Sequence, residues 1–300
     1  MATESQKLLI QRARKASGVQ DRPIPKSLRK ILFPTSIEVR YRAMLLDFVN
    51  AMEALVEEDI VPQIPNYVSE SDAIRPKTDS ANRFDAWPTQ LSNTKDEVND
   101  EANNLQEKPG EQEIQQIATD VSNFNKNQVD LVISDGLGIN VFVPEPWLEQ
   151  EIEAFTQQNL SLIESLQGEY LREVEEAVNR GIQEGDRAED ISQELQKIGD
   201  VTESRANLIA RDQVGKLHGN LNMLRQENLG VETYTWVTSD DQRVRGDPDG
   251  IYPKAKPSHF AKEGLVFRWD SPPPDTGHPG QDYQCRCYAE PNLEEFLEGI

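Results

Sequence analysis

The 300-residue chain has only two cysteines, three histidines and 7% aromatic residues. Two cysteines cannot form the disulfide framework that holds small secreted domains together. With apolar residues at 36% in all, one large compact core is not expected, and an extended, helix-rich protein fits better. Long apolar runs are also missing. No stretch approaches the roughly 20 apolar residues that a membrane helix needs. Leu8, Leu9 and Ile10 are too short a run, and lie among too many charges, to be a signal core. A protein made and used in a cytoplasm, with no membrane partner, is expected. Several catalytic signatures are absent as well: there is no His-Glu-x-x-His and no nucleophile elbow. Gly136-Leu-Gly138 lacks the helix fingerprint that would make it a nucleotide loop.

Positive charge is scarce and unevenly placed. The formal net charge is −22, yet the first 42 residues hold ten Lys/Arg against Glu4, Asp21 and Glu38. This asymmetry suits a basic arm for an acidic partner and a body that repels DNA, or else a solvated terminal helix with no such target. Arg12, Arg14, Lys15, Arg29 and Lys30 are the candidate polyanion contacts.

The spacing of apolar residues predicts four regions. Residues 1–68 form the basic arm and a first amphipathic helix. That helix starts after Pro34 with a Thr35/Glu38 capping box, carries Met44, Leu45, Phe48, Val49, Met52, Leu55 and Val56, and is stopped by Pro62 and Pro65. Residues 69–113 are polar, with Arg75-Pro76, Trp87-Pro88 and an acidic, asparagine-rich run, and are expected to be a linker or loosely packed insertion. Residues 114–230 are helical. Helical spacing resumes at Ile114, Ile117, Ala118, Val121 and Phe124, and Pro146 then opens a long central helix that ends at Gly181 and Gly185. A short helix follows over about 187–198. A last one, capped by Asp200 and Glu203, ends at Asn228-Leu229-Gly230. His218 lies on the packing side of that last helix and is expected to be a surface or packing residue. Residues 231–300 make a small, loop-rich domain with strands at Tyr234-Thr-Trp236 and Val266-Phe-Arg-Trp269. No internal repeat is evident. The fold class is α+β, predominantly helical, with the β structure confined to the C-terminal domain.

Both cysteines and two of the histidines fall in this last region. Cys285 and Cys287 are one residue apart, too close for a comfortable disulfide. In an extended segment their sulfurs face one side, where His259 and His278 could complete a Cys2His2 tetrahedron around one structural zinc. The alternative is a pair of reduced cysteines half-buried in a small sheet, with both histidines at the surface. The one-residue spacing departs from the usual zinc pattern.

The order of motifs is informative. Ile209-Ala-Arg211-Asp212 on a helix is followed by a turn at Gly230, then Tyr234-x-Trp236 and Thr238-Ser-Asp240-Asp-x-Arg243-Val-Arg245. Pro257-Ser-His259, Gly264-x-x-Phe267 and His278-Pro-Gly-x-Asp-Tyr-x-Cys285-Arg-Cys287 complete it. This ordered set resembles the C-terminal domain of the phage Mu F-like head morphogenesis family, the minor head proteins of tailed phages. Some members carry cysteines just after the Asp-x-Arg-Val step, where this chain has Arg245. The resemblance implies a virion protein that binds the portal or procapsid interior and assists head morphogenesis and DNA packaging or delivery, acting in the phage head and, during assembly, in the host cytoplasm. It also implies DNA contact. A different class of function is a metal-dependent hydrolase or nuclease using the His/Cys cluster with Asp240 or Asp241 as base. Four protein ligands would leave such an ion no open position, so a non-enzyme is expected. A zinc-stabilised nucleic-acid module is disfavoured, because basic and aromatic residues do not interleave beyond Arg243, Arg245 and Arg268.

Overall fold

The computed structural model describes residues 4–74 and 86–298. Helices dominate, with one three-stranded antiparallel sheet near the C-terminus. The elements are α1 (Glu4–Ala16), α2 (Thr35–Leu55), α3 (Ile64–Ile74), α4 (Ala86–Asn103), α5 (Glu111–Leu137), α6 (Leu148–Glu184), α7 (Ala188–Leu229), β1 (Thr233–Val237), β2 (Val266–Arg268), β3 (Tyr288–Pro291) and α8 (Leu293–Glu298). Among the described residues no helix is long and apolar enough to cross a membrane. The contacts divide the chain into two units that interleave in sequence: Met1–Glu38, Gln115–Phe155 and Arg211–Ile300 in one, Val39–Ile114 and Thr156–Ala210 in the other.

The second unit is all helix. Tyr41, Leu45, Phe48, Met52, Ile60, Ile64 and Leu91 are fully buried in it, and Tyr41 Oη donates to Asn159 Oδ1 at 2.8 Å. The prolines expected to end the first helix do not break the helical path. A π-turn (Val56–Ile60) and a 3₁₀ turn (Val61–Gln63) lead directly into α3. Pro62 and Pro65 sit in the first turns of short helices, where a missing N–H costs little.

The segment read as a polar linker, 69–113, contains the end of α3 and all of α4. Its stretch 75–85, including Arg75-Pro76, lies outside the described residues. Trp87, Leu91, Val98 and Ala102 give α4 a sparse but fully buried stripe. Its polar residues are occupied by hydrogen bonds: Gln167 Nε2 donates to Asn99 Oδ1 at 2.9 Å and Asn103 Oδ1 at 3.1 Å, and Lys95 pairs with Glu175 at 3.1 Å.

The two helices expected on either side of residue 199 are a single helix, α7. Gly199 does not break it. A Cβ there would lie 2.5 Å from Glu53 Oε1, so the glycine makes room for that carboxylate. Burial raises the pKa of Glu53, and Glu203, Asp200 and Glu57 add to the effect. Within this unit α6 and α7 run antiparallel, with Arg180 facing Glu194 at 3.8 Å and Arg205 paired with Glu169.

The first unit carries the sheet. Strand order is β2-β1-β3, with Tyr234 opposite Phe267 and Trp236 opposite Ala289. β1 and β2 lie where the alternation placed them, and β3 follows Cys287 directly. Asn222 Nδ2 and Gln226 Nε2 of α7 both donate to the Ala289 carbonyl, at 3.0 and 2.9 Å, which fixes the sheet to the helix. A core of Val129, Ile133, Leu137, Leu229, Val231, Leu293 and Phe296 takes in Ile10 of α1. The N-terminal region is therefore packed into this unit along α1. Arg14 is buried, with its guanidinium donating to the carbonyls of Leu137, Val19 (3.0 Å) and Arg22 (2.9 Å), so it closes the C-terminus of α5. His218 is a packing residue. Its ring meets Asn125 Nδ2 at 3.2 Å, and Arg225 donates from there to Asn125, Ser122 and Glu145. Burial, then Arg225, lowers the His218 pKa to about 4.

Two expected outcomes follow. Arg14→Ala should cost about 1–3 kcal/mol by leaving buried carbonyls unpaired, while Arg12→Ala on the exposed side of α1 should shift stability by less than about 0.5 kcal/mol. Urea titration of the two variants reads the difference, and equal losses would contradict the assignment. For His218, the unfolded side chain titrates near 6.5 and the folded one near 4, so between those values the unfolded state takes up the proton. Its contribution is complete above the unfolded value and falls by about 3 kcal/mol as pH drops through the window. His218→Asn should flatten the stability-versus-pH curve between pH 6.5 and 4.

Candidate metal centre

Three of the four proposed ligands converge. His259, Cys285 and Cys287 are all buried, and their ligand atoms lie within 4.8 Å of one another. His259 Nδ1 is 3.4 Å from Cys287 Sγ and 3.4 Å from Cys285 Sγ. Bonds of about 2.0–2.3 Å around a tetrahedral zinc place neighbouring N and S ligands about 3.3–3.8 Å apart, so the donor set fits that ion in both type and spacing. The other ring nitrogen, His259 Nε2, donates to Asp282 Oδ2 at 3.0 Å, and this bond assigns the tautomer that turns the Nδ1 lone pair toward the sulfurs. Asp282 is held in turn by Arg245 at 2.8 Å and by the Tyr283 N–H at 2.7 Å.

The thiols behave as one group. Cys285 is held well below its ordinary range, first by hydrogen bonding with Cys287 and then, against the cost of burial, by His259. The same pairing, with burial, pushes Cys287 up.

His278 does not join them. Its Nδ1 meets the Tyr234 hydroxyl at 2.9 Å, and its ring packs on Trp269 with centroids 5.0 Å apart. Burial lowers its pKa, opposed by a hydrogen bond to the Trp269 backbone. The Cys2His2 set expected from the sequence is thus a Cys2His set in the structure, with His278 taken up by the aromatic core beside it.

Local chemistry puts each piece in place. The loop 278–287 lies on α7 through glycine: a Cβ on Gly219 would sit 2.7 Å from Pro279 O and 3.0 Å from Gly280 Cα, and one on Gly280 would sit 2.9 Å from Gly219 Cα. Asp212 Oδ1 accepts the Gln284 N–H at 2.8 Å, holding that residue at a φ of 51° just before Cys285. The Arg245 carbonyl accepts the N–H groups of His259 and Phe260, at 2.9 and 3.0 Å, and so seats the second loop. Trp236 is fully buried, edge-on to the His259 ring at 5.4 Å.

The remaining motif residues gather beside the group. Arg243, Arg245 and Arg211 line a cleft of 560 Å³ together with Arg286 and the three ligand residues. Asp240 points away to Lys30 at 3.5 Å, and Asp241 pairs with Arg286. Of the proposed polyanion contacts, Arg14 is internal, Arg29 pairs with Asp135 at 3.1 Å and Lys30 with Asp240, which leaves Arg12 and Lys15 on the exposed side of α1. The sequence reading missed Asp282, Arg286 and the seat formed by Gly219. Asp282 was the most accessible of these, as an acid just ahead of a Cys-x-Cys step.

No solved structure matches the chain. An uncharacterized protein of Haemophilus influenzae is 34% identical over 176 residues, covering 58% of this chain and 37% of the relative. An uncharacterized protein of Methanocaldococcus jannaschii is 26% identical over 172 residues, covering 56% of this chain and 25% of the relative. The chain thus spans well under half the length of either. The segment that supplies most of α7, the sheet, both loops and the His–Cys group, residues 172–290, matches the family described as Phage Mu protein F like protein.

Proposed function

We propose that this chain is a minor head protein of a tailed phage, contacting the portal or the procapsid interior and assisting head morphogenesis and DNA packaging or delivery. The observation that carries the proposal is the family match over residues 172–290, the same segment that forms the sheet and its seat on α7. Its place would be the virion, after assembly in the host cytoplasm. Direct DNA contact by α1 narrows to Arg12 and Lys15. A pull-down of purified portal by the full chain, with mass spectrometry of purified heads, tests the role. Absence of the chain from heads, with no portal retained, would overturn it.

The same proposal gives His259, Cys285 and Cys287 one structural zinc. The bound ion would supply a crosslink between two loops that have little apolar surface of their own. We hold the site to be non-catalytic. Among the described residues, the cleft beside the ligands is lined by arginines, tyrosines, Ser239, Gln284 and aliphatic side chains, and the carboxylates that touch its wall, Asp282 and Asp241, are held in ion pairs with Arg245 and Arg286. Asp240 and Asp241, the bases considered from sequence, are both in ion pairs, Asp240 with Lys30 away from the cleft and Asp241 with Arg286 at its wall.

Elemental analysis of protein purified without chelator should find about one zinc per chain. Cys285→Ser should abolish retention and lower the thermal midpoint, and the added Cys287→Ser should do little more. Asp282→Asn, which removes the orienting carboxylate, should weaken zinc binding about 10–100-fold while the fold persists by circular dichroism. Trace metal in the parent, with His259→Ala equally stable, would end the zinc assignment.

A further inference from the structure

We propose that the cleft beside the His–Cys group is an anion site that takes a phosphate group. Four guanidinium groups line it: Arg211 from α7, Arg243 and Arg245 from the loop after β1, and Arg286 between the two cysteines. Two of them are neutralised, Arg245 by Asp282 and Arg286 by Asp241. Among the described residues, neither Arg211 nor Arg243 has a carboxylate in ion-pair contact. Burial lowers the Arg211 pKa, and Arg286 and Arg243 lower it further, against the smaller pull of Glu38 and Asp241. The arginines are thus close enough to repel one another, and the cleft holds surplus positive charge in a chain whose net charge is −22. Asp282 and Asp241 offset two of the four charges, and an anion bound between Arg211 and Arg243 would offset the repulsion that remains.

The geometry selects the class of anion. Among the described residues, the two planar donor forks without an ion-pair partner, Arg211 and Arg243, line the cleft from separate segments of chain, an arrangement suited to an ion with several oxygens in different directions, whereas a carboxylate is satisfied by one fork. The volume of 560 Å³ exceeds what one phosphate fills, and Tyr252 and Tyr283, 52% and 55% exposed, lie along the same cleft. Exposed tyrosines next to phosphate-binding arginines also suit a nucleotide at the end of a strand, where a base can stack. The shared chemistry is the phosphate group, free or at a strand end. The site stands on the arginines alone and does not depend on the head-protein assignment.

Isothermal titration of the full chain with inorganic phosphate tests it. Saturable one-site binding is expected, weakened about tenfold or more by Arg243→Glu at an exposed position and by Arg211→Gln, and unchanged by Arg268→Glu outside the cleft. Circular dichroism confirms that each variant is folded, and Arg243→Glu, being a surface change, keeps the test valid if Arg211→Gln fails to fold. A single-stranded oligonucleotide with and without a 5′-phosphate separates the sources. Preference for the phosphorylated strand, lost in Arg243→Glu, assigns strand ends, whereas equal binding of both strands with phosphate binding retained assigns free phosphate. No saturable phosphate binding up to about 10 mM, acetate binding as tightly as phosphate, or equal affinity in Arg243→Glu would overturn the proposal.

Discussion

Backbone lies against backbone where Gly219 of α7 meets Gly280, and the C-terminal half of the first unit depends on that contact. A methyl group on either residue would force the helix and the loop apart. With the contact made, the loop runs close enough for Asp212, two helical turns earlier, to take the Gln284 N–H and place Cys285. The chain then passes through Cys287 into β3, which Asn222 and Gln226 tie to the same helix face. One face of α7 therefore provides glycine for approach, an acid for loop geometry and amides for the strand. The two cysteines and β3 are thus positioned from this one helix, while His259 is seated by the Arg245 carbonyl.

Much of the first unit was legible in the sequence. The alternation at Tyr234-x-Trp236 marks a strand because buried and part-buried positions repeat every second residue, and the Cys-x-Cys step brings two sulfurs to one side for the same reason. What was not legible involves competition between partners. Gly199-Asp200 resembles a helix break, and only the carboxylate of Glu53 from another helix explains a glycine inside a continuous α7. α4 looked like a linker because its apolar positions are few, and hydrogen bonds to Gln167 and Glu175, distant in sequence, occupy its polar ones. The arginine cleft was invisible for a related reason: Arg211 and Arg286 are far apart along the chain, so no sequence window shows a basic patch.

The two histidines of this unit show how local partners divide one chemistry into two roles. His259 has a carboxylate on Nε2 and two sulfurs before Nδ1, leaving one nitrogen available as a ligand. His278 has its Nδ1 against the Tyr234 hydroxyl and its ring packed on Trp269, outside the His–Cys group. Sequence spacing treats the two alike. The aromatic core separates them: the buried Tyr234 hydroxyl takes His278 Nδ1 as its partner, and the His–Cys group is left with three protein ligands.

Charge then connects the ligand set to the cleft. Two thiolates around a divalent cation cancel its charge, and the neutral His259 adds none, so a metal-loaded group would draw nothing from the arginines beside it. Without an ion, the hydrogen bonds within the group hold Cys285 low and push Cys287 up, so the sulfurs interact first with each other and with His259. Among the described residues, the acids in ion-pair contact with the arginines are Asp282 and Asp241, one each for Arg245 and Arg286. Among the described residues, Arg211 and Arg243 have no carboxylate in ion-pair contact, at a site whose walls are fixed by α7 and by the two loops that the His–Cys group joins. Rigid walls keep like charges together that a flexible loop would let separate, so the crosslink and the surplus positive charge are parts of one arrangement.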